Sequence, residues 1–378
     1  MNYINIIDEI FRQFKGPKFS IKTWDGKERF YGSGKETVFT LVFQNETTVQ
    51  RLLSQGSLGF GEAYMDESLQ IEGDLESYLK LRHQFRLIQR SWRLALAVFL
   101  SSRQIPKDRK DQIAYHYDLE NEFFQMFLDH KTMSYSSGRY ENGLETLEDA
   151  QQKKLEFICN WFGLPVGSSI LDLGSGWGGF AKFAAQSLNW HVTGHTLSKA
   201  QLTYCKKVVM SKSLEKLLSF EYRDMTKPVG GKFDGILILE AIEHVGKDNL
   251  AQFFKTVSKA LKPGAPLIVQ ATGRYQPRRV DHWTLKYVFP GGYLPAKSEL
   301  FDAAISAGLI IEIFRDDTQD YILTMTEWVK RIEAHESDIE QMFDKPFFRL
   351  WKLWMHGAKV NFELGEMSLF RIKLRKPK

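Results

Sequence analysis

Residues 170–180 read ILDLGSGWGGF. An apolar run broken only by Asp172 is followed by Gly174, Gly176, Gly178 and Gly179, and then by the helix-like segment FAKFAAQSL at 180–188. Glycines at the end of a strand let the backbone take positive φ, and they let a ligand approach the main chain where no side chain intervenes. Strand, glycine turn and helix in that order open a Rossmann-like sheet, although the turn alone is shared by several nucleotide-binding folds.

Two details narrow the ligand. Asp172 sits just ahead of the glycines, where it suits a cationic ligand carrying an amino-acid group. The next strand, at 190–195, runs into GHTLS without the Asp or Glu that a nicotinamide cofactor's ribose calls for about 20 residues on. Both favour S-adenosylmethionine over a dinucleotide; the bland alternative is a glycine turn that holds nothing.

Outward from the turn, strand-like segments at 169–173, 190–195, 218–222, 233–239 and 266–271 alternate with amphipathic helical ones such as 250–261. Alternation of this kind predicts a mostly parallel sheet with helices on both faces, completed by strands near 310–314 and 368–374. Upstream, residues 1 to about 80 predict a small α+β unit: a helical start at 4–14, strands at 21–24 and 39–43, and a hairpin signal at Asp25-Gly26. From 79 to 100, Arg82, His83, Arg86, Arg90 and Arg93 alternate with Phe85, Leu87, Ile88, Trp92 and Leu96. Such a helix either lies on an anionic membrane or buries one face between domains. The charged segment 101–111, with Pro106, reads as a linker. The expected organisation is therefore residues 1–100, a linker at 101–111, and a second domain over 112–378.

The 378 residues exceed one typical core, in line with two domains. With 43% hydrophobic and 26% charged residues the composition is that of a globular protein. Cys159 and Cys205 make neither a disulfide framework nor a metal cluster, and no His/Cys/acid group has ligand spacing, so a reducing compartment and no metal are expected. The first 15 residues lack a secretory pattern, and the longest apolar run, at 94–100, is far below the ~20 residues of a membrane span. These features predict a cytoplasmic protein. The net charge of +5 is modest and spread out, with no aromatic-interleaved basic face, which argues against nucleic acid.

Several further motifs occur in order: YHYDLENEFFQMF (115–127), TMSYSSGRY (132–140), GHTLSKAQ (194–201), YRD (222–224), EHVG (243–246) and YVFPGGYLP (287–295). With the glycine turn, they resemble the cyclopropane-fatty-acyl-phospholipid synthases and the related mycolic acid methyltransferases, across most of the chain. The resemblance implies an α/β fold, a Rossmann-like class I methyltransferase domain with a seven-stranded sheet, preceded by a small lipid-associated α+β domain. It implies transfer of the S-adenosylmethionine methyl group to a cis double bond of a phospholipid acyl chain, closing a cyclopropane ring. Tyr135, Ser136, Gly174, Gly176, Thr196 and Gln201 would contact the cofactor, with Asp172 and Gly178 completing the elbow.

An alkene is a weak nucleophile and the cation it forms is quenched by water, so the reaction needs an apolar wall, for which Phe123, Phe124, Phe127, Phe289, Tyr293 and Trp351 are candidates; ordinary core packing is the simpler account of any single one. By the resemblance, Glu243 helps hold a bicarbonate ion that takes the proton, and Tyr321 serves the same site. His116 and His244 read either as site residues or as core histidines. Two positions depart from the family: Ser137 stands where Cys is expected and Gln270 where His is expected. Ser and Gln still donate hydrogen bonds to an anion, but Gln cannot titrate as His does. This predicts retained methyl transfer with an altered proton-removal step, and methyl-branched or unsaturated products in place of a ring. Methylation of an amine, or a catalytically inactive lipid-binding homologue, are the rival readings. A lipid substrate predicts peripheral contact with the inner face of the cell membrane through the 82–100 helix and the basic tail RIKLRKPK (371–378); dimerisation through the N-terminal unit stays open.

Overall fold

The computed structural model describes residues 3–82 and 121–378. The 82–100 helix beyond Arg82, the 101–111 linker and His116 lie outside the described residues. The chain divides into two units. The first takes residues up to Ile113 together with Asp281–Pro290 and Glu333–Val360, two later segments that fall inside the range expected for the second domain. The second takes Ala114–Val280, Gly291–Ile332 and Asn361–Lys378.

In the first unit, strands β1 (Phe19–Lys22), β2 (Glu28–Tyr31), β3 (Phe39–Phe43) and β4 (Leu69–Gly73) form a sheet in the order β2-β1-β3-β4. The β1–β2 hairpin turns at Gly26, whose φ of 76° only glycine adopts at little cost. Helices Tyr3–Phe11, Glu46–Gln55, Ser57–Met65 and Leu75–Arg82 accompany the sheet. Its core is aromatic: Phe19 stacks on Phe39 with ring centres 5.0 Å apart, and Phe11, Tyr31 and Tyr78 close around them. The later segments are held by polar contacts. Glu62 accepts from Lys286 (2.7 Å) and Tyr287 (2.8 Å), and His356 bridges Glu76 (3.0 Å) and Glu333 (3.2 Å).

The second unit is built on a seven-stranded sheet. Its strands are β5 (Ser169–Leu173), β6 (His191–Thr196), β7 (Leu218–Tyr222), β8 (Gly235–Leu239), β9 (Pro266–Gly273), β10 (Ile310–Asp316) and β11 (Ser368–Arg375). The order is β10-β11-β9-β8-β5-β6-β7, parallel from β9 to β7, with β11 antiparallel to both its neighbours. Period-two alternation sends successive residues to opposite faces. Leu171, Leu173, Ile236, Ile238, Leu267 and Val269 join helices Leu250–Ala260 and Lys297–Ser306 in one core. Ile170, Leu237 and Ile268 join helices Leu147–Phe162 and Gly179–Leu188 in the other. By the same parity Asp172 and Gln270 share the second face. The chain winds away from β5 in both directions, so the carboxyl end of β5 is the switch point where such sheets bind ligands.

The strand expected near 368–374 is β11, between β9 and β10, and it takes up residues 371–375 of the basic segment 371–378. Arg371 is buried, Arg375 is paired with Glu312, and Lys376 donates to the carbonyls of Ser258 and Leu261. Among the described residues no helix is long and apolar enough to cross a membrane.

Candidate active site

The glycine elbow after β5 is defined by what it leaves out. Gly174, Gly176 and Gly178 have φ of 82°, 54° and 76°. A Cβ on Gly174 would lie 2.3 Å from that of Ala241, and one on Gly178 would lie 2.8 Å from Phe220. Around Gly176 nothing comes within 4 Å, so the backbone there faces open space. Gly194 on β6 is equally obligatory, since its Cβ would meet Phe220 at 2.5 Å. Asp172 is buried beneath the elbow, and burial pushes its carboxyl up to about 7. At the end of β6, Thr196 donates to Gln201 Oε1 at 2.8 Å, and Ser198 caps the helix Lys199–Ser211 through the Gln201 N–H. Such a cap contributes about 1 kcal/mol and fixes where Gln201 begins its turn.

Residues 130–146 form an irregular segment that brings Tyr135, Ser136 and Ser137 to the same end of the sheet. The fully buried Asp129 organises it, accepting from the Thr132 N–H (2.6 Å), the Thr132 hydroxyl (2.7 Å) and the Ser134 N–H (2.8 Å). The Thr132 carbonyl lies against Gly179, where a Cβ would come within 2.4 Å, so segment and elbow are packed backbone to backbone. From below, Gln151 donates to the Ser136 carbonyl (2.7 Å), and the fully buried Lys154 donates to the Ser136 hydroxyl (2.8 Å). Burial lowers the Lys154 ammonium to about 8, against the opposing pull of Asp129 and Glu240.

The third part lies at the ends of β8 and β9. Glu240, one residue beyond β8, adopts a left-handed φ of 48°, rare for a residue with a side chain. Its Oε1 accepts from the Ser137 N–H (2.8 Å) and from Gln270 Nε2 (2.7 Å). Tyr321 adjoins Glu240, and burial, then the charge of that carboxylate, holds its phenol well above its ordinary value. Glu243 stands on the short 3-10 turn Ile242–His244. Its Oε1 accepts the Thr272 N–H at 2.5 Å, while its buried Oε2 has no hydrogen-bond partner. Burial, then the nearby Glu240, raises the Glu243 carboxyl to about 8. Aromatic rings adjoin this cluster: Trp328 lies 5.4 Å from Tyr135 and 6.1 Å from Tyr321, and Phe362 lies 4.4 Å from Tyr321.

The sequence-predicted residues thus fall into two neighbouring groups. Asp172, Gly174, Gly176, Gly178, Thr196 and Gln201 gather at β5 and β6. Ser137, Gln270, Glu243 and Tyr321 gather around Glu240, and Tyr135 and Ser136 come from the connecting segment. Phe123 and Phe127 are fully buried, and Phe124 packs on Tyr135 and Trp177. Tyr293 donates to Glu299, whereas Phe289 and Trp351 belong to the first unit. His244 is exposed.

Sequence reasoning missed Glu240, Lys154, Arg371 and Trp328. Glu240 has the plainest consequence. The Ser137 N–H and the Gln270 amide, donors that the resemblance would assign to bicarbonate, are already satisfied by a carboxylate of the chain itself. The residues present do not fit a second anion at that place. The elbow does fit S-adenosylmethionine: open backbone at Gly176, a buried acid at Asp172 and a polar pair at Thr196 and Gln201 suit a ligand with an ammonium, a sulfonium and ribose hydroxyls.

Residues 104–372 match the family model of mycolic acid cyclopropane synthetases. The chain belongs to this family. Residues 6–85 match a second model, a domain of unknown function. A probable fatty acid methyltransferase of Pseudomonas putida is 29% identical over 94% of this chain and 91% of its own length. The cyclopropane-fatty-acyl-phospholipid synthase of Escherichia coli is 29% identical over 87% of this chain and 86% of its own. A solved cyclopropane synthase from Mycobacterium tuberculosis shares the fold, with a TM-score of 0.64 at 24% identity, covering 70% of this chain and 97% of that one. As a member of the mycolic acid cyclopropane synthetase family, the protein is a methyltransferase that uses S-adenosylmethionine and acts on lipids.

Proposed function

We propose that this enzyme methylates the double bond of an unsaturated phospholipid acyl chain and that Glu240 accepts the proton the reaction releases. The observation that carries this reading is a carboxylate held by the Ser137 N–H and the Gln270 amide where the resemblance calls for a free anion. The cofactor supplies an electrophilic methyl group, whose addition to the alkene leaves a carbocation on the neighbouring carbon. Asp172, Thr196, Gln201 and the glycine elbow bind and orient the donor. Tyr135, Trp328, Phe124 and Phe127 exclude water. Glu240 takes a proton from the added methyl carbon, and that C–H pair of electrons either closes a three-membered ring or, after a hydride shift, forms an exocyclic methylene. Glu243, neutral below about pH 8, adds no second negative charge beside it.

A phospholipid substrate is supported by the relatives' lipid substrates and by the small first unit; peripheral contact with an anionic leaflet at the inner face of the cell membrane follows from where an acyl double bond lies. The test is incubation with labelled S-adenosylmethionine and vesicles of unsaturated or fully saturated phospholipid, followed by mass spectrometry. A gain of one CH2 unit only in unsaturated chains is expected, and its chromatographic form separates a ring from a branched or methylene product. Labelling of small amines and not of lipid would overturn the reading.

A further inference from the structure

Gln270 can face the site in two ways, since its amide has a donor end and an acceptor end. Neighbours on both sides decide between them, and Arg371 holds the acceptor end. Arg371 lies directly opposite Gln270 in the β9–β11 register and is almost fully buried. Its Nε donates to Gln270 Oε1 at 2.8 Å. Three of its four other donors are committed as well: Nη1 to Asp317 (2.8 Å) and Asp320 (2.5 Å), and Nη2 to the Gly138 carbonyl (2.7 Å). The guanidinium is therefore fixed from three sides. A flipped amide would set NH2 against the Arg371 N–H, and would set its carbonyl against both Glu240 and the Ser137 carbonyl, which the NH2 now reaches at 2.7 and 3.2 Å. Both ends would then be mismatched.

We infer that Arg371 is a positioning residue for the proton-accepting site, fixing residue 270 so that it always presents a donor to Glu240. The inference rests on the proposed role of Glu240. It also accounts for the tolerance of Gln where the family has His: an Arg371 N–H aimed at one end of either side chain leaves an N–H at the other. Ionisable groups around the pair are Glu240 and Glu243 beyond β8, Asp317 and Asp320 near the end of β10, Tyr321, and Lys154 from the helix Leu147–Phe162.

The test is a mutant cycle in the full-length enzyme, read as methyl transfer to lipid. Arg371→Met lowers kcat about tenfold, the loss expected for one oriented hydrogen bond, with KM for S-adenosylmethionine unchanged. In a Gln270→Leu background the same change has no further effect on kcat. Gln270→His alone keeps turnover level between pH 6 and 7, whereas Gln270→His with Arg371→Met acquires an ionisation near the free imidazole value of about 6.5, because the nitrogen that the Arg371 N–H occupied is then free to take a proton. Should Arg371→Met fail to fold, Arg371→Lys keeps the charge beside Asp317 and Asp320 but lacks the planar fork, and carries the same comparison. Full additivity with Gln270→Leu, or a matching rise in KM, would overturn the positioning role. Glu240→Gln separates the two claims: if it loses turnover while Arg371→Met does not, only the positioning role fails, and if it keeps full turnover both fail.

Discussion

The two halves of the site are built on opposite principles. The cofactor half, at β5 and β6, is made of omissions: glycines whose side chains would strike Ala241 or Phe220, and a backbone open at Gly176. The half proposed to take the proton, at β8 and β9, is made of reciprocal hydrogen bonds, in which Glu240 satisfies the Ser137 backbone N–H and the Gln270 amide, and Arg371 satisfies Gln270 in turn. A half made of omissions tolerates no addition. A half made of reciprocal pairs tolerates exchange as long as the partners change together, and here Glu240, Gln270 and Arg371 form such a set.

The comparison breaks most easily at the elbow. Gly174→Val combines a clash at 2.3 Å with a φ of 82° that a β-branched residue does not adopt, so S-adenosylhomocysteine binding by calorimetry should fall more than about 100-fold. Binding within a few-fold of the parent would show that the elbow is not a cradle. In the proton half, Glu240→Gln should lower kcat by about 10²–10³ while leaving cofactor binding intact, the usual scale for a positioned base. Glu240→Gly suits the left-handed backbone and vacates both donors, so added bicarbonate should restore part of its turnover; restoration in the parent enzyme as well would mean that Glu240 does not fill the anion's place.

The halves also differ in what their titration changes. Asp172 is ionised only above about 7, so affinity for a cationic cofactor should weaken by up to about tenfold per pH unit as pH falls below that value, and Asp172→Asn should abolish the trend. Glu243 is raised in the same sense, and there the readout is folding stability. Its folded value of about 8 lies above the unfolded 4.5, so the native state holds the extra proton between them, and stability declines as pH rises from about 4.5 to 8. Glu243→Gln removes that decline, which thermal melts at pH 6 and 9 would register as a smaller drop in Tm, about 2–4 °C per kcal/mol relieved. The smallest effect is expected at β11. Lys373→Ala and Arg375→Ala should change binding to anionic vesicles less than about twofold, since both cations pair with Glu312 and are not free to meet a membrane.

How much of this was legible in the sequence follows the same divide. Missing side chains are visible as glycines, so the elbow, the strand before it and the polar end of β6 could be read directly, as could the alternation that gives the sheet. Reciprocal pairs are not visible, because they depend on which strands become neighbours. The chain separates Gln270 from Arg371 by a hundred residues, and only the antiparallel insertion of β11 sets them side by side. The same insertion holds Arg371 and Arg375 of the basic segment in a structural strand, where both are engaged. Glu240 looked like any acid at a strand end. The available signal was Gln270 where the resemblance calls for His, an amide whose donor end needs an acceptor.

The left-handed backbone at Glu240 has an ancestral implication. Glycine is the residue that such a conformation accepts most cheaply, and a single base change in the codon's second position converts glycine to glutamate. The proposed proton acceptor therefore stands one point mutation away from a glycine that the same backbone accepts without strain.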